Sequence, residues 1–259
     1  MDAGRNVPSD AGRGPDRAAV SAPLIWFPEL TAGHLLRRYK RFLADVRLED
    51  GRVVTAHVPN SGRMTSVDMP GSEVLLSNHD DAGRKLAWTL ELLRVSPGPY
   101  GWAGVNTNLP NSLVYEAVRA QLIPELDGYA SLQREVVCAP GTRLDLRLES
   151  AGRPACWVEI KNVTLVENGA AYFPDAVTER GRKHLEALAA LAARGGRAVI
   201  FYLVQRPDCD ILRPADHVDL RYGDALRRVL GEGVEALAYR SRLSRDGADI
   251  SGPVKFDAS

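Results

Sequence analysis

The sequence predicts an α/β protein (α+β overall), in which a small β-barrel is followed by a mixed-sheet α/β sandwich. Three observations predict it. Across residues 37–95, short runs that alternate apolar and polar at period two are separated by turn signals such as Asp50-Gly51 and Pro70-Gly71. After residue 105 the order becomes helix, three strands, helix, strand, helix, strand, which is that of a sheet covered by helices. Between the halves, Ser96-Pro97-Gly98-Pro99-Tyr100-Gly101 has the composition of a linker.

Residues 1–22 are rich in Gly, Ala, Pro, Asp and Arg without periodicity and read as a disordered tail. A barrel is expected over residues 23–96, a linker over 97–104 and the α/β unit over 105–259. Residues 38–48 read as one strand, with Phe42, Ala44, Val46 and Leu48 on its inward face. Asp50-Gly51 turns it into a return strand over 52–58. Further strands are expected over 73–77 and 86–95. Such a set fits a five-stranded OB-like barrel. In the second half, Pro110 opens a helix over 111–122. Strands follow over 132–138, 142–149 and 155–163. A helix over 177–194 carries a Leu185/Leu188/Ala189/Ala192 stripe and ends at Gly195-Gly196. The apolar run 197–205 reads as a central strand, 220–230 as a helix and 234–240 as a last strand.

Composition narrows the function classes. A hydrophobic content of 45% and a charged content of 25% are those of a globular protein. The formal net charge is zero, so nucleic-acid binding would have to use local patches. Cys138, Cys156 and Cys209 are far apart and form no CxxC pair, which argues against a zinc site or disulfide framework. No apolar run reaches the roughly 18 residues of a membrane span, and no signal-peptide core is evident. A cytoplasmic protein without a membrane partner is expected. The chain has no GxGxxG, P-loop or HExxH motif. His57 and Ser61 have no acidic residue near them, and Pro59-Asn60-Ser61-Gly62 is turn chemistry.

The chemistry-bearing feature is Asp145 on one predicted strand and Glu159-Ile160-Lys161 on the next, joined by a break containing Gly152 and Pro154. A hairpin centred on Gly152 sets Arg147 opposite Trp157 and Asp145 opposite Glu159. Two carboxylates so placed repel unless a cation lies between them. Mg²⁺ or Mn²⁺ is bound by one or two carboxylates while keeping waters and a phosphate oxygen. Lys161 shares the face of Glu159 and could orient water or stabilise phosphoryl charge. Metal-assisted phosphodiester hydrolysis is the chemistry this serves, with Asp145, Glu159 and Lys161 catalytic. A solvated hairpin face gives the same pattern without metal. Glu116, on the preceding helix, is the candidate third carboxylate; an exposed helix glutamate reads the same. For nucleic acid, the candidates are Arg37, Arg38, Tyr39, Lys40 and Arg41, with Arg63, Arg180 and Lys183. Phe42 is assigned to the core rather than to base stacking. His184 shares a face with Arg180. That face is either a solvated helix start or a phosphate contact beside a metal.

Several runs carry a family resemblance. They are Arg38-Tyr39-Lys40-Arg41-Phe42-Leu43-Ala44-Asp45-Val46, Pro59-Asn60-Ser61-Gly62, Val105-Asn106-Thr107 with Leu109-Pro110-Asn111, and Val158-Glu159-Ile160-Lys161-Asn162-Val163-Thr164-Leu165. Phe173-Pro174-Asp175-Ala176-Val177-Thr178-Glu179-Arg180-Gly181, Lys183-His184-Leu185 and Val204-Gln205-Arg206-Pro207-Asp208 complete the set. Over about residues 24–242 the chain resembles the sugar fermentation stimulation protein A family. The resemblance implies an N-terminal OB-fold domain and a C-terminal domain similar to PD-(D/E)XK nucleases. It also implies DNA binding and a regulatory link to sugar (maltose) metabolism. Asp145, Glu159 and Lys161 fall on the nuclease-like signature, and Glu116 where such folds often carry a helix acid. Two expectations follow: a DNA-binding protein with a Mg²⁺-dependent nuclease site, or a non-catalytic DNA-binding regulator.

Overall fold

The computed structural model describes residues 22–64, 66–79, 83–95 and 101–259. The first strand, β1 (Ile25–Trp26), joins the large sheet of the second unit. The barrel follows: β2 (Leu30–Tyr39), β3 (Leu43–Leu48), β4 (Val53–His57), β5 (Glu73–Asn78) and β6 (Trp88–Arg94). Strand β3 lies between β2 and β4, and β5 between β2 and β6. A parallel pairing of β4 with β6, Ala56 opposite Trp88, closes the ring. Alternation fills it: Ala44, Val46 and Leu48 of β3 point inward with Leu35, Val74, Leu76 and Leu90. Strand β7 (Trp102–Gly104) adds to the outer edge of β6.

The barrel departs from the sequence expectation at one turn. The strand expected over 38–48 is two strands, broken by a turn in which Lys40 (φ 49°) and Arg41 (φ 63°) take left-handed backbone. Phe42 therefore sits on a turn rather than in a strand and is 46% exposed, not core. Of the tail expected over 1–22, residues 1–21 lie outside the described residues. So do residues 97–100 of the expected linker, whereas Trp102–Gly104 is β7.

The second unit runs α1 (Leu109–Arg119), β8 (Ser131–Ala139), β9 (Thr142–Glu149), β10 (Cys156–Val163), β11 (Leu165–Glu167) and β12 (Ala170–Phe173). It continues with α2 (Glu179–Ala192), β13 (Arg197–Val204), β14 (Ile211–Pro214), α3 (Asp216–Gly231), β15 (Glu235–Leu243), β16 (Gly247–Pro253) and β17 (Lys255–Phe256). The large sheet has the order β1-β16-β15-β13-β10-β9-β8, with β10, β13 and β15 parallel. Strand β13 is central because both its faces are apolar. Val199, Phe201 and Leu203 pack towards Leu113, Val114 and Ala117 of α1. Ala198, Ile200, Tyr202 and Val204 pack towards Leu185 and Leu188 of α2 and Tyr222 and Leu226 of α3. A second sheet, β11-β12-β14-β17, is absent from the sequence reading, as are β1, β7 and β16.

Two helix starts bear on the site. The Thr178 Oγ1 accepts the Gly181 N–H (3.0 Å) and caps α2. Helix α3 breaks at Asp219 (φ −146°, ψ 84°), and regular helix resumes at Leu220, where the sequence places its start. The Asp219 carboxylate accepts the N–H groups of Tyr222 (3.2 Å) and Thr178 (2.9 Å), tying the two helix starts together. Among the described residues no helix is long and apolar enough to cross a membrane.

Candidate metal centre and nucleic-acid groove

The site forms where β9 and β10 part. Their ladder pairs Leu148 with Cys156, Arg147 with Trp157 and Leu146 with Val158, the register expected from a turn at Gly152. It stops one pair short of Asp145 and Glu159. There the Asp145 side chain takes over, and its Oδ2 accepts the Ile160 N–H at 2.7 Å. On the β9 side the carboxylate so takes the place of a strand partner for Ile160, whose other side pairs with Phe201 of β13.

Helices on opposite faces of the sheet add one side chain each. From α1, Asn111 Nδ2 donates to Asp145 Oδ1 at 2.7 Å. From α2, His184 Nδ1 contacts Glu159 Oε1, and Lys161 Nζ donates to the same oxygen at 2.7 Å. The other oxygen, Glu159 Oε2, is buried with no hydrogen-bond partner. Burial, then the nearby Glu159 charge, push the Asp145 carboxyl up to about 7 against the pull of the Ile160 N–H and Lys161. Burial also pushes Glu159 upward, but the His184 hydrogen bond and the Lys161 charge outweigh it, and Glu159 ends below the ordinary carboxylate value.

A buried acceptor without a donor is costly, and a cation beside Oε2 would offset that cost. Among the described residues no three or more His, Cys, Asp or Glu form a metal cluster. The donor set is thus two carboxylates, which fits a hard cation that keeps water rather than a closed zinc site.

Glu116 does not join this set. It is paired with Arg119 at 2.9 Å on the outer side of α1. Five residues separate it from Asn111, about 140° around the helix. The side chain α1 does deliver is Asn111, whose only sequence signal is its place at a helix start after Pro110. His184 is not on a solvated helix start; it is buried against Glu159.

A groove of about 550 Å³ runs along the junction of barrel and sheet. Asn60, Ser61 and Gly62 form part of its barrel wall; Asn111, Lys161, Asp175 and Arg180 lie on the sheet side. The walls approach so closely that a Cβ at Gly62 would collide with the Asp175 carboxylate. A second cleft, of about 970 Å³, is lined by Arg143, Arg180, Lys183 and His184 among others. Arg180 borders both. Of the basic run on the barrel, Arg41 lines the groove and Lys40 is exposed on the turn beside it. Arg37 is paired with Asp45 (2.8 Å) and lies over the Tyr39 ring, whose hydroxyl also donates to Asp45 (3.1 Å). Arg63 is exposed on the loop that forms the wall. Arg38 is engaged within the protein. Its side chain is only 7% exposed, and it donates to the carbonyls of Asn60 (2.9 Å), Gly62 (2.9 Å) and Arg63 (2.8 Å).

Comparison with known proteins shows the family. Residues 36–105 match the SfsA N-terminal OB domain, and residues 108–247 match the sugar fermentation stimulation protein RE domain. A sugar fermentation stimulation protein homolog from Geobacter sulfurreducens is 55% identical over 215 residues, covering 83% of this chain and 90% of that protein. Another, from Paramagnetospirillum magneticum, is 49% identical over 228 residues, covering 88% and 95%. The solved structure of Pyrococcus furiosus SfsA in complex with Ca²⁺ superposes with a TM-score of 0.81 at 26% identity, covering 92% of this chain and all of that one. With an OB barrel and an RE domain matched in sequence, and relatives of about half-identical sequence over most of its length, the chain belongs to the sugar fermentation stimulation protein family.

Proposed function

We propose that this protein hydrolyses phosphodiester bonds of nucleic acid, DNA in the first instance, with Mg²⁺ or Mn²⁺ as cofactor. The observation that carries the reading is Glu159 Oε2, buried and unpartnered beside Asp145 and Lys161. The Ca²⁺ in the Pyrococcus furiosus relative supports it. Asp145 and Glu159 would hold the cation. When bound, it supplies Lewis acidity towards a phosphate oxygen and a more acidic water. Asn111 and the Ile160 N–H orient Asp145. Lys161, bordering the groove, donates its N–H bonds to the phosphate oxygen on which charge develops. Arg41 and Arg180, with Lys183 in the adjoining cleft, hold the flanking backbone. In the wild-type protein, cutting of labelled single- and double-stranded DNA and RNA should need Mg²⁺ or Mn²⁺ and stop in EDTA. Lys161→Ala should lose about 100-fold or more in rate, and Asp145→Ala should lose cutting while it keeps binding. Equal cutting by Lys161→Ala would sink the reading. A second reading has its own support: Lys161 is tied to Glu159 at 2.7 Å, as in a purely structural ion pair. The protein would then be a DNA-binding regulator without catalysis, and would bind equally well in EDTA and in Mg²⁺.

A further inference from the structure

Two nitrogen groups crowd one end of Glu159, and neither reaches the other end. Lys161 Nζ and His184 Nδ1 both meet Oε1, and they lie 3.5 Å from each other. An ammonium can only donate, and an ionised carboxylate can only accept. His184 Nδ1 therefore carries a hydrogen directed at Oε1, and the 3.5 Å approach to Lys161 is that of two donors sharing an acceptor. Oε1 has two donors while the buried Oε2 has none.

The two donors differ in how they are held. Lys161 stands on a flexible stem and borders the groove. His184 is on α2, whose start is fixed by the Thr178 cap and the Asp219 carboxylate, and whose next turns bury Leu185 and Leu188. Gly181, one turn before His184, packs so closely on Thr178 and Tyr222 that a side chain there would have to displace them.

We infer that His184 is the positioning residue of the metal centre. Its Nδ1–H keeps Glu159 turned with Oε2 towards the cation, so that Lys161 can leave Oε1 for the substrate without leaving a buried carboxylate unpartnered. This rests on the metal-dependent reading above and assigns separate tasks to the two donors: His184 serves cation binding and Lys161 serves the reaction. His184 is not a catalytic residue, since it acts through Glu159.

The test is calorimetric titration of the full chain with Mn²⁺, with thermal melting in EDTA as the control for folding and cleavage as a second readout. Ligand-orienting partners of this kind typically contribute about 10- to 100-fold in metal affinity. His184→Leu, which fills the space without a donor, should weaken Mn²⁺ binding by about tenfold or more. His184→Asn, whose amide N–H lies near the Nδ1 position, should recover most of that loss; His184→Gln, whose amide lies near Nε2, should not. Lys161→Met should keep Mn²⁺ affinity and lose cleavage. Should His184→Leu fail to fold, the Asn and Gln variants decide alone. Equal affinity in those two, or wild-type affinity in His184→Leu, overturns the inference while leaving the metal centre standing. A wild-type protein that binds no Mn²⁺ overturns both.

Discussion

Asp145 carries the strongest pH signature in the site. Burial, then the Glu159 charge, raise its carboxyl from the ordinary 3.8 to about 7. In the unfolded chain this carboxyl ionises near its ordinary value. The folded protein without metal therefore favours the protonated form, and the stability this contributes is full below about pH 4. It is lost as pH rises through about 7. Asp145→Asn removes the titration and keeps an acceptor for the Ile160 N–H, while the Asn111 amide can turn to meet the new amide. In EDTA, the melting temperature of Asp145→Asn relative to wild type should climb between pH 5 and pH 8. A difference that stays flat or shrinks would contradict the assignment. The residues of this centre were unequally legible. Asp145, Glu159 and Lys161 follow from a hairpin register, which local alternation and a turn determine. Asn111 and His184 lie 34 and 25 positions from the carboxylates they touch, and only the packing of helices on both sheet faces brings them there. Glu116 is expected from its carboxylate on the preceding helix and from the family resemblance, whereas the angle around α1 brings Asn111 to Asp145.

Among the elements, β9, β10 and β13 were readable because each is long enough to show its pattern: alternation in β9, a near-continuous apolar run in β13. Strands β11, β12, β14 and β17 have two to four residues and show none. Strand β16 reads Gly-Ala-Asp-Ile-Ser-Gly-Pro, which is loop composition, and becomes a strand by pairing with β15 and β1. The β2–β3 turn was hidden for another reason. Lys40 and Arg41 take positive φ, which sequence patterns assign to Gly or Asn. A contact across the turn helps hold it: Arg38 Nε donates to the Arg41 carbonyl at 2.9 Å. The same guanidinium gathers the carbonyls of Asn60, Gly62 and Arg63 and the Asp68 carboxylate (3.3 Å), so Arg38 joins the turn to the groove wall. Arg38→Ala should cost about 3 kcal/mol in urea unfolding, the range for breaking a buried ionic network. Arg38→Lys should recover little of it, because an ammonium cannot span those acceptors. A loss under about 0.5 kcal/mol would mean that the loop holds itself, as an ordinary surface site would.

For the molecule as a whole, the groove exists only while barrel and sheet keep their relative positions, and a buried polar lock holds them. Arg206, 4% exposed, pairs with Asp208 (2.5 Å) and reaches across to the Ser66 carbonyl (2.8 Å) and hydroxyl (2.9 Å) on the barrel. The Ser66 hydroxyl donates to the Thr164 carbonyl (3.2 Å) and accepts the Val166 N–H (3.3 Å), so one small side chain serves three partners. Nearby, the Gly104 N–H donates to the Gln205 carbonyl (3.1 Å), and a side chain at 104 would strike the Gln205 amide. These contacts lie just beyond the C-terminal ends of β10 and β13, the same end that carries Lys161. The lock and the proposed metal centre therefore share a frame. Arg206→Ala leaves Asp208 and the Ser66 carbonyl without their partner. It should lower stability by about 3 kcal/mol and, in a chain of this size, the melting temperature by roughly 6–12 °C. The effect on function should exceed the effect on folding. At temperatures well below the new midpoint, the variant should still bind Mn²⁺, because Asp145, Glu159 and His184 all belong to the sheet unit. It should nonetheless bind nucleic acid more weakly, because Arg41 and the Asn60–Gly62 wall belong to the barrel. Calorimetry and a DNA-binding titration on the same sample separate the two. Undiminished DNA binding by folded Arg206→Ala protein would show that the groove does not depend on the lock. Loss of Mn²⁺ binding as well would show that the metal centre needs the barrel to hold its shape.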